Sequence, residues 1–350
     1  MRTSYNREDV ELLLKDLTGV VEPVTLEERD RRVANGEYVR SILIKEYEVS
    51  EEYRGIVNKY IPVYADKMGE LVAKLADKLY EAKGDNIVLV DIVRAGIPIG
   101  ILLKRYLKFK YNIDVMHYGI SLVKGLDKEA MSYIVDKHGA ENVQFVDGWT
   151  GKGTVAKEIK ASCDELKTLD DKYKELDDSL AVLSDAIGVA KYAGTREDVY
   201  IPNSPLNASI TGLVSITILN EKYKQADDFH GAAYLSELEE IDQSKEFVDL
   251  VTDTFKKDVE KESDVCEADD TEIDKLASEL GRDKKLLNPG INEAARAVLR
   301  RKLEKLIVLS KEDEDCKALI ELAECKGIKI EERPLKGYKA LSVADDNYIR

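Results

Sequence analysis

Phe145-Val146-Asp147-Gly148-Trp149-Thr150-Gly151-Lys152-Gly153-Thr154-Val155 decides how this chain is read. A short apolar strand delivers an acid, Asp147, at its end. Small residues follow, and a helix starts near Val155. Glycines let backbone N–H groups converge, and the positive end of the next helix points the same way, so the segment is built to hold an anion. Thr150 and Thr154 add hydroxyls, and Lys152 adds a charge that can serve a phosphate or point to solvent. The spacing is not that of the GxxxxGK[ST] nucleotide loop, because no glycine stands five residues before Gly151. Taken alone, the segment also reads as a tight turn with a helix cap.

Outward from this loop, strands alternate with helices. Upstream, the run Ile87–Val90 leads into Asp91-Ile92-Val93-Arg94-Ala95-Gly96, and an apolar helix covers Ile99–Leu107. A second strand, Asp114–Leu122, breaks at Lys124-Gly125, and a helix spans Lys128–His138. The third strand, Asn142–Val146, feeds the loop. Downstream, Leu180–Leu183 ends at Ser184-Asp185. The alternation predicts an α/β fold with a parallel sheet covered on both faces, its ligands at the carboxyl ends of the strands. Residues 1 to about 82 read as mostly helical, with Met68, Leu71, Leu75 and Leu79 on one face of a helix over Tyr64–Tyr80.

The length of 350 residues suits about two domains. With 69 acids against 53 bases the net charge is −16, which excludes a protein that coats nucleic acid or anionic membrane with its whole surface. No apolar run reaches the about eighteen residues of a membrane helix, and the N-terminus lacks a signal-peptide core. Cys163, Cys266, Cys316 and Cys325 lie far apart, and His117, His138 and His230 share no ligand spacing with them. A cytoplasmic protein with reduced thiols, no structural metal and no membrane partner is expected.

The charge is uneven. Lys256–Leu280 holds ten acids and four lysines, and Glu260–Thr271 reads as a solvated linker. Residues 285–350 hold 14 bases and 12 acids. The expected organisation is a first domain over 1–255, an acidic linker with a short helix over 256–284, and a small α/β domain over 285–350. In the last domain the pattern gives a helix over Asn292–Glu304, a strand at Leu306–Leu309, a helix over Asp313–Cys325, and strands at Ile328–Glu331 and Ala340–Val343.

The Val-Asp strand end followed by Thr-Gly-x-x-Thr resembles the phosphoribosyl-pyrophosphate (PRPP) loop of type I phosphoribosyltransferases. The loops at Arg94-Ala95-Gly96 and Lys124-Gly125 fall where that fold carries its pyrophosphate loop and its mobile lid. The likeness is closer to the phosphoribosyltransferase-like proteins of bacterial tellurite-resistance (ter) clusters, some of StiP type. It extends over about residues 20–255, including His117-Tyr118-Gly119-Ile120-Ser121, Pro202–Asn207, Ser209–Ser215 and Asp228-Phe229-His230-Gly231-Ala232. The resemblance implies a type I phosphoribosyltransferase-like sheet and Mg²⁺-dependent transfer from PRPP or a nucleotide-like metabolite. Asp147, Thr150, Gly151, Lys152, Gly153 and Thr154 would hold sugar and phosphate. Arg94, Ala95, Gly96 and Mg²⁺ would hold pyrophosphate, with Lys124 on the lid. Asp185, Asn203, Ser204, Asn207 and His230 would line the acceptor pocket, although Asn203 and Asn207 also read as turn residues and His230 as structural.

Two departures stand out. Type I enzymes show two adjacent acids before the loop, and here the second is Gly148; Trp149 brings a large ring where the loop is usually small. The StiP label implies instead a cysteine protease, which needs a cysteine beside a histidine. The family's cysteine stands in the turn before a Leu-Asn pair, and Ser204-Pro205 occupies that turn here. Proteolysis therefore ranks behind a transferase, or a non-catalytic nucleotide sensor that binds RNA.

Pro289-Gly290-Ile291-Asn292-Glu293-Ala294-Ala295-Arg296-Ala297-Val298-Leu299-Arg300-Arg301-Lys302 resembles the RNA-contact helix of the L7Ae and Pelota group. That resemblance implies a module for structured RNA, in which Asn292 and Glu293 read base edges while Arg296, Arg300 and Arg301 meet phosphate. The same residues also suit an N-capped amphipathic helix with a solvated basic face.

Overall fold

The computed structural model describes residues 1–225, 227–260, 269 and 271–345. The acidic stretch 261–268 and residue 270, within the linker expected over 256–284, lie outside the described residues. The first domain begins with β1 (Glu11–Leu12), β2 (Lys15–Asp16), α1 (Leu26–Ala34) and α2 (Glu51–Lys83). Then come β3 (Val88–Ile92), α3 (Ile97–Tyr111), β4 (Met116–Ile120), α4 (Lys128–His138), β5 (Val143–Val146) and α5 (Thr154–Leu169). The strands β6 (Leu180–Ser184), β7 (Tyr192–Thr195) and β8 (Gly231–Ala232) follow, and then α6 (Ser244–Thr252).

Six strands form one parallel sheet in the order β1-β4-β3-β5-β6-β7. Every residue of β3, β5 and β6 is buried, as expected where helices cover both faces and strands read as continuous apolar runs. Alternate residues serve opposite cores. Leu89, Val146 and Leu183 pack with the helices α2, α3 and α6. Val88, Val90, Phe145 and Val182 pack with α4 and α5. The chain leaves β3 toward β4 on one side and leaves β5 toward β6 on the other. The connections diverge between β3 and β5, which opens a crevice at their carboxyl ends.

The second domain comprises α7 (Glu272–Leu280), β9 (Leu287–Pro289), α8 (Ile291–Arg300), β10 (Leu303–Val308), α9 (Lys317–Cys325), β11 (Lys329–Glu332) and β12 (Ala340–Ala344). Its sheet runs β11-β10-β12-β9, parallel between β10 and β11 and antiparallel elsewhere. A mixed α/β first domain with a parallel central sheet and a small α/β second domain is thus the architecture.

Several local expectations need correction. Residues 1–82 are less helical than read, because β1, β2 and extended stretches surround α1 and α2. The helix expected over Asn292–Glu304 stops at Arg300, and a strand starts at Leu303. The strands β7 and β9 carried no long apolar run and went unread. No helix among the described residues is long and apolar enough to cross a membrane.

The two domains dock through buried polar contacts. Asp198, in the loop after β7, accepts the Ile291 N–H at 3.0 Å and the Lys339 N–H at 2.8 Å. Asn292 donates to Val199 O and accepts from Ile201 N, both at 2.8 Å. Tyr338 donates to the Gly151 carbonyl at 2.9 Å. Farther out, Tyr60 donates to Glu321 at 2.7 Å and Lys67 pairs with Asp315 at 2.8 Å.

Candidate functional site

The crevice at the ends of β3 and β5 is a cavity of about 580 Å³, and α8 of the second domain supplies its opposite wall. The first domain contributes Arg94 and Ala95 after β3, then Asp147 and Trp149–Ala156 after β5. Arg29, Arg40 and Tyr47 reach it from the segments around α1. The second domain contributes Glu293, Arg296, Arg300 and Arg301. Seven cationic side chains thus face two carboxylates, an excess that suits a ligand with several negative charges.

The loop after β5 takes the form that its glycines foretell. Gly153 has φ +73°, where a side chain would strain the backbone, and it ends at the N-terminus of α5. Gly151 lies so close to α8 that a Cβ would stand 2.7 Å from Glu293 Cγ. The Trp149 indole donates to Glu293 Oε1 at 3.1 Å, and Arg296 meets the same oxygen at 3.2 Å. Burial raises the Glu293 carboxyl, but Arg296 and the Trp149 N–H outweigh it and hold the group below its ordinary value.

Burial pushes the Asp147 carboxyl up to about 7, opposed by the Gly148 N–H that it accepts at 2.8 Å and by the Arg296 charge. The folded form therefore keeps a proton that the unfolded chain loses near 3.8. The resulting stabilisation is complete below that value and disappears as pH rises through about 7. Asp147→Asn keeps the acceptor for Gly148 and removes the ionisation. Its melting temperature should exceed the wild type's at pH 8 and converge with it toward pH 4, as differential scanning fluorimetry across that range would show.

Arg94 is almost fully buried and ion-paired to Glu46, and it donates to the Val214 carbonyl at 2.8 Å. Its Nη2 finds no partner among the described residues, and neither does Nε of Arg300. Burial, with Arg296 and Arg94 nearby, depresses Arg300 to about 9. Burial likewise lowers Arg40.

The other residues singled out in the sequence fall into three groups. Lys152 lines the cavity, but its Nζ donates to the Lys284 carbonyl of the second domain at 2.7 Å. Gly96 lies below the cavity wall at the start of α3, with a Cβ position 2.9 Å from the Val146 carbonyl. Lys124 is exposed, rests 4.1 Å over the Tyr38 ring and lies outside the cavity lining.

The supposed acceptor pocket is not assembled. Asp185 braces the glycine loop, taking the Thr150 hydroxyl at 2.6 Å and pairing with Arg196. Asn207 holds Tyr47 O at 2.7 Å and its own turn through Ser209 N at 3.1 Å. Asn203 and Ser204 are buried, and neither lines the cavity. His230 stands elsewhere, bonded to Ser121 Oγ at 3.0 Å and to Asp127 through its backbone N–H. On the second domain Asn292 is a docking brace, 2 % exposed, and presents no free edge to a base, while Glu293 lines the cavity with one carboxylate oxygen bonded to Trp149. Arg296 and Arg300 stay on the cavity side of α8, joined by Arg301 just after it.

Sequence reasoning missed Arg29, Arg40 and Glu46. Their only signal was a scatter of arginines over residues 29–40 in an otherwise acidic chain.

The thiols of the described residues lie apart from this cavity, and Cys266 falls outside those residues. Cys163 on α5 and Cys316 before α9 are fully buried, and burial pushes both up to about 12. Cys325 is half-buried and also raised. Such thiols stay protonated and unreactive at neutral pH.

Comparison with known proteins gives two matches along the chain. Residues 3–252 match the family described as "Tellurite-like stress resistance cysteine protease StiP", and residues 268–346 match the "PELOTA RNA binding domain". A relative from Acinetobacter baylyi, "Cysteine protease StiP", is 30% identical over 343 residues, covering 92% of this chain and 88% of the relative. These findings overturn the phosphoribosyltransferase expectation: family and relative are named for cysteine proteolysis, and nothing indicates transfer from PRPP. A glycine loop at a strand end reports anion binding and does not specify a reaction. The chain belongs to the StiP family of tellurite-like stress resistance and carries a C-terminal Pelota RNA-binding domain.

Proposed function

We propose that the chain is an RNA-binding member of its family and that the inter-domain cavity receives RNA phosphate. The observation that carries this is a pair of buried guanidinium nitrogens without partners among the described residues, on Arg94 and Arg300, two arginines that line a cavity with a large cationic excess. A buried donor left unpaired costs about 1–3 kcal/mol, more when charged, and an anionic ligand removes that cost. The Pelota match supports RNA as the source of the anion. The likeness of the first sheet to type I phosphoribosyltransferases enters only as architecture, strand ends that hold phosphate. Any magnesium ion would arrive with those phosphates, since no group of three or more His, Cys, Asp or Glu among the described residues could hold one. Structured and single-stranded RNAs, titrated by fluorescence anisotropy, should bind with affinity that falls steeply with salt. Arg296→Glu should weaken that binding by about tenfold or more. Salt-independent or absent binding by the wild type would sink the proposal.

Proteolysis, favoured by the names of the family and relative, is the second reading. The protonated state of Cys163 and Cys316 predicts that neither is alkylated by iodoacetamide at pH 7 in the folded protein, while both react after denaturation; peptide mapping reads this directly. Rapid native labelling of either would revive it for that residue.

A further inference from the structure

We infer that the cavity selects a chain end of RNA, a terminal phosphomonoester held between Arg94 and Arg300. This rests on the RNA-binding reading above and names the part of the RNA that enters. Arg296 and Arg300 stand four residues apart on α8, so they share one face. The Arg296 side chain is 41% exposed, while the free Nε of Arg300 and the free Nη2 of Arg94 are out of solvent. Positive charge on the cavity lining therefore spans a half-exposed guanidinium and two that keep a shielded, unpartnered nitrogen.

An internal phosphodiester reaches those shielded nitrogens only by drawing the nucleotides on both sides into the cavity. At about 580 Å³ the space is of small-ligand size, within about 300–1,000 Å³. A chain end brings one flanking nucleotide. It also brings more charge: a phosphomonoester is close to doubly ionised at pH 7, with a second pKa of about 6, whereas a diester carries a single charge. Arg94 shares its guanidinium with Glu46 and keeps one nitrogen over, so the site needs an acceptor that brings its own charge. The oxygens of a terminal phosphate can serve both guanidinium groups at once.

The test uses the full chain and one single-stranded RNA of about ten nucleotides in four forms: 5′-phosphate, 3′-phosphate, both ends hydroxyl, and circular. Anisotropy titrations at about 0.1 M salt should show one phosphorylated end binding at least about tenfold tighter than the hydroxyl and circular forms. Arg94→Gln should erase that preference, so that the phosphorylated RNA binds no more tightly than the hydroxyl form. Because Arg94 is paired in the core, Arg300→Met is the second variant and should give the same result. Equal binding of all four forms overturns end selection and leaves RNA binding intact. A mononucleotide such as AMP that binds as tightly as the phosphorylated RNA also overturns it and assigns the pocket to free nucleotides. If no RNA binds the wild type, the proposed function itself fails.

Discussion

Arg300→Met should make the protein more stable and a poorer RNA binder at once. The wild-type guanidinium lies buried beside Arg296 and Arg94, and burial with those neighbouring charges depresses it to about 9. Among the described residues its hydrogen bond, to the Leu206 carbonyl, is long at 3.5 Å. Methionine keeps most of the apolar stem and removes the charge, and replacing buried charges by apolar groups of similar volume is often neutral or stabilising. The melting temperature should stay level or rise by a few degrees. Affinity for a short RNA carrying the preferred terminal phosphate should fall by about thirtyfold, the loss of about 2 kcal/mol from a charged hydrogen bond. Unchanged affinity would remove Arg300 from the site, and a fall in melting temperature would show that the charge has a structural task.

Gly100→Ala should produce the largest stability loss. Gly100 lies on α3 over β4, and a Cβ there would overlap the imidazole of His117, with Cε1 at 2.6 Å. That ring cannot yield cheaply. His117 is 2 % exposed, bonded at 2.8 Å to Asp91 on one side and at 2.8 Å to the Asp9 carbonyl on the other. Asp91 is fully buried, its carboxyl raised by burial and lowered again by this histidine. Displacing the ring strands the Asp91 carboxyl as well as overpacking the core. A cost of about 3 kcal/mol follows, or about 6–12 °C in melting temperature. Calorimetry that shows a drop below about 2 °C would mean that the helix shifts freely over the sheet.

The central sheet was legible because its strands are buried on both faces, which writes each as an uninterrupted apolar run between glycine turns. The glycine loop was legible for a related reason: few side chains fit where backbone N–H groups must converge. The edge strand β7 was not, since Tyr192-Ala193-Gly194-Thr195 mixes sizes and holds a glycine whose Cβ would meet the Leu71 carbonyl at 2.8 Å. The wall of the cavity made by α8 was beyond reach for another reason. Helix amphipathicity shows that a face is buried, not what covers it. Asn292 looked like a reader of bases because its partners, Val199 and Ile201, lie over 90 positions away in the chain. The step from loop to reaction failed because anion binding is shared by many chemistries.

Asp198 has a consequence for how this lineage can be taken apart. One carboxylate supplies the acceptor for the first turn of α8 and for the strand-entry amide of Lys339, so the second domain borrows its helix cap from the first. A fragment of residues 271–345 would lose that cap and expose Ile291 to water. It should be poorly soluble until Asp198 and its neighbours are restored in trans. The Pelota unit here is therefore not a portable cassette. Any recombination of the two halves would have to carry the 198–201 segment with the helix it completes.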